Sequence, residues 1–164
     1  MTYPIEVAGL KRELPICKVT DDLYIGAFIC FGDTELTVAC ARELLKLVPA
    51  DSYDYIFTAE AKSIPLIHEM ARQSGAAKYF IARKGAKAYM PDDADLIRGK
   101  RILIMDDVIS TGGSLKAMEA LVQEAGGVVT GKVAVLAEGD AADRTDIKFL
   151  KKLPLFNADG TVKD

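Results

Sequence analysis

The sequence predicts an α/β fold, with a central, mainly parallel sheet flanked by helices. Three observations carry this expectation. Short apolar runs rich in β-branched and aromatic residues alternate with longer segments of helical period, the order that successive βαβ units require. The run Ile102-Leu103-Ile104-Met105 is unbroken rather than alternating, as in a strand buried on both faces. At 164 residues the chain suits a single domain with one continuous core.

Taken in order, the first clear unit is an extended segment over 23–31 that Gly32 breaks. Asp33 or Thr34 then caps a helix whose apolar positions Leu36, Ala39, Cys40, Leu44 and Leu47 recur at helical spacing, and Pro49 ends it. A strand follows over 54–58. The next helix carries Leu66, Ile67, Met70 and Ala71 and stops near Gly75. Residues 78–82 are a further strand, and after a polar stretch residues 101–105 form the most apolar one. Leu115, Met118, Leu121, Val122 and Ala125 make the core stripe of the succeeding helix, which Gly126-Gly127 terminates. Val128-Val129 and 133–136 supply more strand, and Leu153-Pro154-Leu155-Phe156 is an apolar patch in a less regular tail.

Composition narrows the function classes. Half the residues are hydrophobic, 27% are charged, and the net charge is −3 with signs interspersed. That leaves no basic stripe for a nucleic-acid backbone. No apolar run approaches the length needed to span a bilayer. The opening residues lack the positive and apolar regions of a signal peptide. Cys17, Cys30 and Cys40 are odd in number and have no CxxC spacing, so buried free thiols are expected rather than disulfide or metal chemistry, and with them a cytoplasmic protein. His68, the single histidine, sits among Leu66, Ile67 and Met70 and reads as a packed or surface residue.

The chemistry concentrates after residue 105. Asp106 and Asp107 stand where a parallel strand is expected to end, which is where ligands bind in open α/β sheets. Ser110-Thr111-Gly112-Gly113-Ser114 then enters a helix. Glycines let the backbone approach a ligand closely. Consecutive amides, three hydroxyls and the positive end of the helix dipole form an anion site suited to a phosphate monoester. Carboxylates beside it accept hydrogen bonds from neighbouring hydroxyls. Together these features describe a ribose 5-phosphate. No Gly-Lys-Ser/Thr follows, so this is not a Walker loop.

The string ILIMDDVISTGGS resembles the 5-phosphoribosyl-1-diphosphate (PRPP) signature of the type I phosphoribosyltransferases. That resemblance implies that Asp106 and Asp107 face the ribose hydroxyls and that Ser110, Thr111, Gly112, Gly113 and Ser114 hold the 5′-phosphate. Glu60-Ala61-Lys62-Ser63 resembles the family's pyrophosphate loop, with Ser63 where glycine is frequent. Arg83-Lys84-Gly85-Ala86-Lys87 resembles the Arg-Lys-x-x-Lys segment of the adenine enzymes. Lys62, Arg83, Lys84 and Lys87 would supply positive charge to the diphosphate, and Lys62 and Arg83 join the two aspartates as the expected catalytic set.

The resemblance further implies transfer to a nucleobase, adenine favoured, in purine salvage. It implies Mg2+ held through substrate and water, with Asp106 or Asp107 as protein donors, and a homodimer. A hood from about residues 1–32 and the C-terminal segment would cover a core of about 33–150, with Phe28, Phe31, Asp33 and Phe156 as candidates to hold the base. The family's mobile lid would lie over 88–100, shorter here than in the family. A PRPP-binding regulatory protein with little or no transfer is the competing expectation, since some transcription regulators carry this domain.

Overall fold

The computed structural model describes residues 1–83 and 91–163. Its larger sheet has five strands, β4 (Tyr55–Ala59), β5 (Tyr79–Ala82), β6 (Arg101–Ile109), β7 (Val128–Glu138) and β8 (Lys148–Leu153), in the order β5-β4-β6-β7-β8. Every pairing in it is parallel. Helices α1 (Thr34–Leu45) and α2 (Ile64–Ser74) cover one face, α3 (Pro91–Ile97) and α4 (Gly113–Glu124) the other. Alternation along β6 separates the two cores. Leu103 and Met105 pack with Leu36, Leu44 and Met70, whereas Ile102 and Ile104 pack with Leu115, Met118 and Val122. The α/β expectation holds, and α1, α2 and α4 lie where helical spacing put them.

The helix ends follow local chemistry. Asp33 caps α1 by accepting from the Leu36 amide at 3.0 Å, and Gly75 closes α2 in the left-handed region at φ +75°.

A second sheet gathers the N-terminal region expected as a hood, of which only 23–31 was expected as strand, together with the C-terminal apolar patch. Strands β1 (Thr2–Val7), β2 (Leu10–Thr20), β3 (Leu23–Gly26) and β9 (Leu155–Phe156) form an antiparallel sheet in that order. Ala8 and Gly9, both at positive φ, make the two-residue turn between β1 and β2. Only Ile5, Val7 and Leu14 of this hairpin are buried, and they join the core beside α1 and Leu153. The segment expected over 23–31 forms a strand only to Gly26. Beyond it one last bond to β2, from the Ala27 amide to the Pro15 carbonyl at 2.8 Å, precedes the crossing to α1.

Two further differences bear on the site. Strand β6 continues through Asp106 and Asp107 to Ile109, because β7 pairs with it as far as Ile109↔Ala137. On its other side β4 pairs only to Phe57↔Ile104, and the Thr58 hydroxyl donates to the Met105 carbonyl at 2.7 Å where that ladder ends. A crevice therefore opens between the C-terminal ends of β4 and β6, at the point where the chain switches direction across the sheet. The second difference is α3, a short helix inside the stretch expected to be lid. Among the described residues no helix is long and apolar enough to cross a membrane.

Candidate active site

The crevice is built from the β4–α2 turn and the exposed half of β6. At the turn the Glu60–Ala61 peptide is cis. Ser63, buried, staples the turn to β6: its hydroxyl donates to Asp106 Oδ1 at 3.1 Å and accepts from the Asp107 amide at 3.0 Å. This gives a reason for serine where glycine is frequent, since the backbone at Ser63 (φ −89°) needs no glycine.

The two aspartates sit differently. Asp106 accepts from Ser63 and from the Asp107 amide at 2.9 Å. Burial first, and then the neighbouring Asp107 charge, push its carboxyl up to about 7. Asp107 is 6% exposed. Its Oδ1 accepts from the Val108 amide at 2.9 Å, and its Oδ2 is buried with no hydrogen-bond partner among the described residues. An orphaned buried carboxylate oxygen costs about 1–3 kcal/mol or more, so a ligand that donates to it recovers that energy.

Downstream, Gly112 precedes α4 at φ +83°, and no side chain caps that helix. The Gly113 amide makes only a long bond, to the Thr111 hydroxyl at 3.5 Å, so this first turn can still receive an anion. Ser114 faces a recess of about 250 Å³ shared with Glu60, Lys62, Ser63, Asp106 and Asp107. Lys62 and Asp107 also line a second cavity of about 690 Å³ that runs beneath the antiparallel sheet, along Ile25, Phe28, Val108 and Leu155. Ser110 and Thr111 stand in its wall.

Several expected residues thus converge: Asp106, Asp107, Glu60, Ala61, Lys62, Ser63, Ser110, Thr111 and Ser114 line these two spaces, which share Lys62 and Asp107. Arg83 is exposed at the end of β5, where the Glu60 amide donates to the Ala82 carbonyl at 2.9 Å, and it lines neither space. Lys84, Lys87 and the first lid positions lie outside the described residues. Of the four base-holding candidates only Phe28 reaches the larger cavity. Phe156 is a correction: it is fully buried and packs edge-on against Tyr3 at 5.0 Å, because β9 completes the second sheet. Asp33 is another. It is held by Arg12 at 2.7 Å and by its capping role, on a groove between α1 and α2. Phe31 is 47% exposed and outside both cavities.

Sequence reading missed Glu138, Asp140 and Arg144, which line the larger cavity. Glu138 is the last residue of β7, directly beyond the apolar run, and a charged residue at the C-terminal end of a parallel strand was the available signal. Burial raises its carboxyl pKa, against the Ser110 hydroxyl and the Lys62 charge.

Comparison with known proteins agrees with this geometry. The sequence matches the phosphoribosyl transferase domain over residues 50–159. It is 30% identical over 141 residues to the hypoxanthine/guanine phosphoribosyltransferase of Methanotorris igneus, covering 74% of this chain and 76% of that one. It is 29% identical over 128 residues to the orotate phosphoribosyltransferase of Caldanaerobacter subterraneus, covering 78% of this chain and 64% of that enzyme's length. The fold superposes on adenine phosphoribosyltransferase from Rhodothermus marinus with a TM-score of 0.62 at 21% identity, over 93% of this chain and 94% of that one. The chain belongs to the phosphoribosyl transferase domain family.

Proposed function

We propose that the protein transfers the 5-phosphoribosyl group of PRPP to a neutral nucleobase, adenine in first place, releasing diphosphate and a nucleoside 5′-monophosphate. The observation that carries this reading is the unpartnered, buried Asp107 Oδ2 beside the uncapped start of α4. A sugar hydroxyl and a phosphate, one sugar apart, answer both needs at once.

In this reading the open amides of loop 110–114 hold the 5′-phosphate, and Asp106 and Asp107 accept from the ribose hydroxyls. Lys62 and the amides of the β4–α2 turn stabilise charge on the leaving diphosphate, with Arg83 at the end of β5 and, by the family resemblance, Lys84 and Lys87 adding positive charge. The base nitrogen forms the new bond to C1 as the bond to diphosphate breaks, and the nitrogen's proton leaves with solvent. Positioning and electrostatics supply the rate. The donor set suits a hard cation: among the described residues no group of three or more ligands forms a metal site, but two adjacent carboxylates fit Mg2+ that draws its other oxygens from substrate and water. Bound there, it would neutralise diphosphate charge.

For the base, the larger cavity offers apolar walls for a flat ring and the acceptors Glu138 and Asp140 at its edge. That favours a ring presenting N–H donors, such as adenine, over an anionic one such as orotate. A homodimer belongs to this reading, and light scattering of the purified chain checks it.

The decisive experiment incubates the chain with PRPP, Mg2+ and each of adenine, hypoxanthine, guanine, xanthine and orotate. Diphosphate release with adenine supports the whole reading, and release with another base alone overturns the adenine preference. PRPP binding without product would instead favour a regulatory role. Lys62→Met should lower kcat by about 10- to 1,000-fold if the amine stabilises the leaving group.

A further inference from the structure

Beyond the last residue of β7 the chain forms a short 3-10 turn, Gly139–Asp143, anchored by buried Ala141. It carries Arg144 back to the wall of the larger cavity, close to Ser110 and Thr111. Arg144 Nε and Nη2 grip Asp146 with two prongs, at 2.9 Å and 2.7 Å. Asp146 is held in turn by Lys132 at 2.9 Å, and Lys132 by Glu119 of α4 at 2.7 Å. The four charges balance, and three of these residues come from β7, α4 and the segment before β8. Such a brace fixes a guanidinium whose flexible stem would otherwise wander.

The brace leaves one nitrogen unused. Among the described residues Arg144 Nη1 donates to no acceptor. It sits 2.7 Å from the place a Cβ on residue 112 would occupy. Glycine at 112 suits the left-handed φ +83° and leaves the guanidinium room to lie against the loop, where a Cβ would have to push it aside. A planar cation, oriented on its far side and unpartnered on the side that meets the loop, is placed to donate to an anion seated there.

We infer that Arg144 is a further ligand-positioning residue, its Nη1 completing the phosphate cradle of loop 110–114. The inference rests on the reading of that loop given above but assigns a residue outside the loop and outside its motif. Neither the Ser-Thr-Gly-Gly-Ser string nor its spacing contains this cation. It arrives from beyond the next strand.

The test separates the two ends of the substrate. Affinities for ribose 5-phosphate and for inorganic diphosphate, both with Mg2+, are measured by calorimetry on the wild-type chain, Arg144→Met and Arg144→Lys. Arg144→Met should weaken ribose 5-phosphate about 10- to 100-fold, the value of a charge-assisted hydrogen bond, and leave diphosphate unchanged. Arg144→Lys, which keeps charge but cannot keep the two-pronged grip, should recover part of the loss. Unchanged ribose 5-phosphate affinity in Arg144→Met overturns the assignment of Arg144 alone. So does an equal loss for both ligands, which would mark a structural brace. A wild-type chain that binds no ribose 5-phosphate overturns the phosphate loop itself, and this assignment with it.

Discussion

Asp106 holds its carboxyl where burial and the charge of Asp107 oppose ionisation, while Ser63 and the Asp107 amide favour it, and the balance lies at about 7. The unfolded value is about 3.9. A raised folded pKa contributes stability that is full below the unfolded value and lost as pH rises through the folded one. This residue alone should therefore make the ligand-free chain less stable between about pH 4 and pH 7. Asp106→Asn removes the titration, so the thermal midpoint of wild type relative to the variant should fall across that window; a constant difference would refute the raised pKa. The aspartates were legible in the sequence because they are contiguous with a buried strand. Ser63 was legible only as a departure from a pattern, since its partners lie 43 and 44 residues away.

Strand β6 shows how an element exceeds its local signal. Its apolar run stops at Met105, yet pairing with β7 carries it to Ile109 while β4 falls away. That mismatch turns a plain strand end into a crevice with two acids on its lip. Helices were easier, because periodicity and caps are local properties. Two glycines at opposite ends of α4 separate stability from binding. At Gly127 a Cβ would lie 2.7 Å from Ile97 and 3.0 Å from Val122, so Gly127→Ala should cost about 1–3 kcal/mol and leave PRPP affinity intact. Gly112→Ala should cost about 1–2 kcal/mol from its left-handed backbone and also weaken ribose 5-phosphate. Urea titration and calorimetry on both variants check the contrast. Equal binding loss in the two would erase it.

The antiparallel sheet and the parallel sheet share one core beside α1 and α2, and the larger cavity lies between them. Phe156 locks this junction, fully buried against Tyr3. Phe156→Ala should destabilise by about 3–5 kcal/mol, a large share of the roughly 5–15 kcal/mol typical of a whole domain. Phe156→Leu should cost much less and retain base selectivity. A change of preferred base in Phe156→Leu would return this ring to the base site. The hairpin that begins this sheet was not legible. Mostly exposed strands carry too few buried residues for a pattern: only Ile5, Val7 and Leu14 are buried, with Tyr3 and Leu10 packed partly against the same core.

Sequence by itself determined the α/β class, the helices α1, α2 and α4 and the contiguous loop of Asp106 to Ser114, because each is written in neighbouring residues whose spacing or chemistry is local. Tertiary structure alone decided what meets that loop. Ser63 reaches it from the β4–α2 turn and Glu138 and Arg144 from the two ends of the 3-10 turn after β7, and Phe156 and Asp33 are taken into packing and capping instead. Such placements depend on which strands run side by side and how far each ladder extends, and pairing between distant segments leaves no mark in either segment read alone.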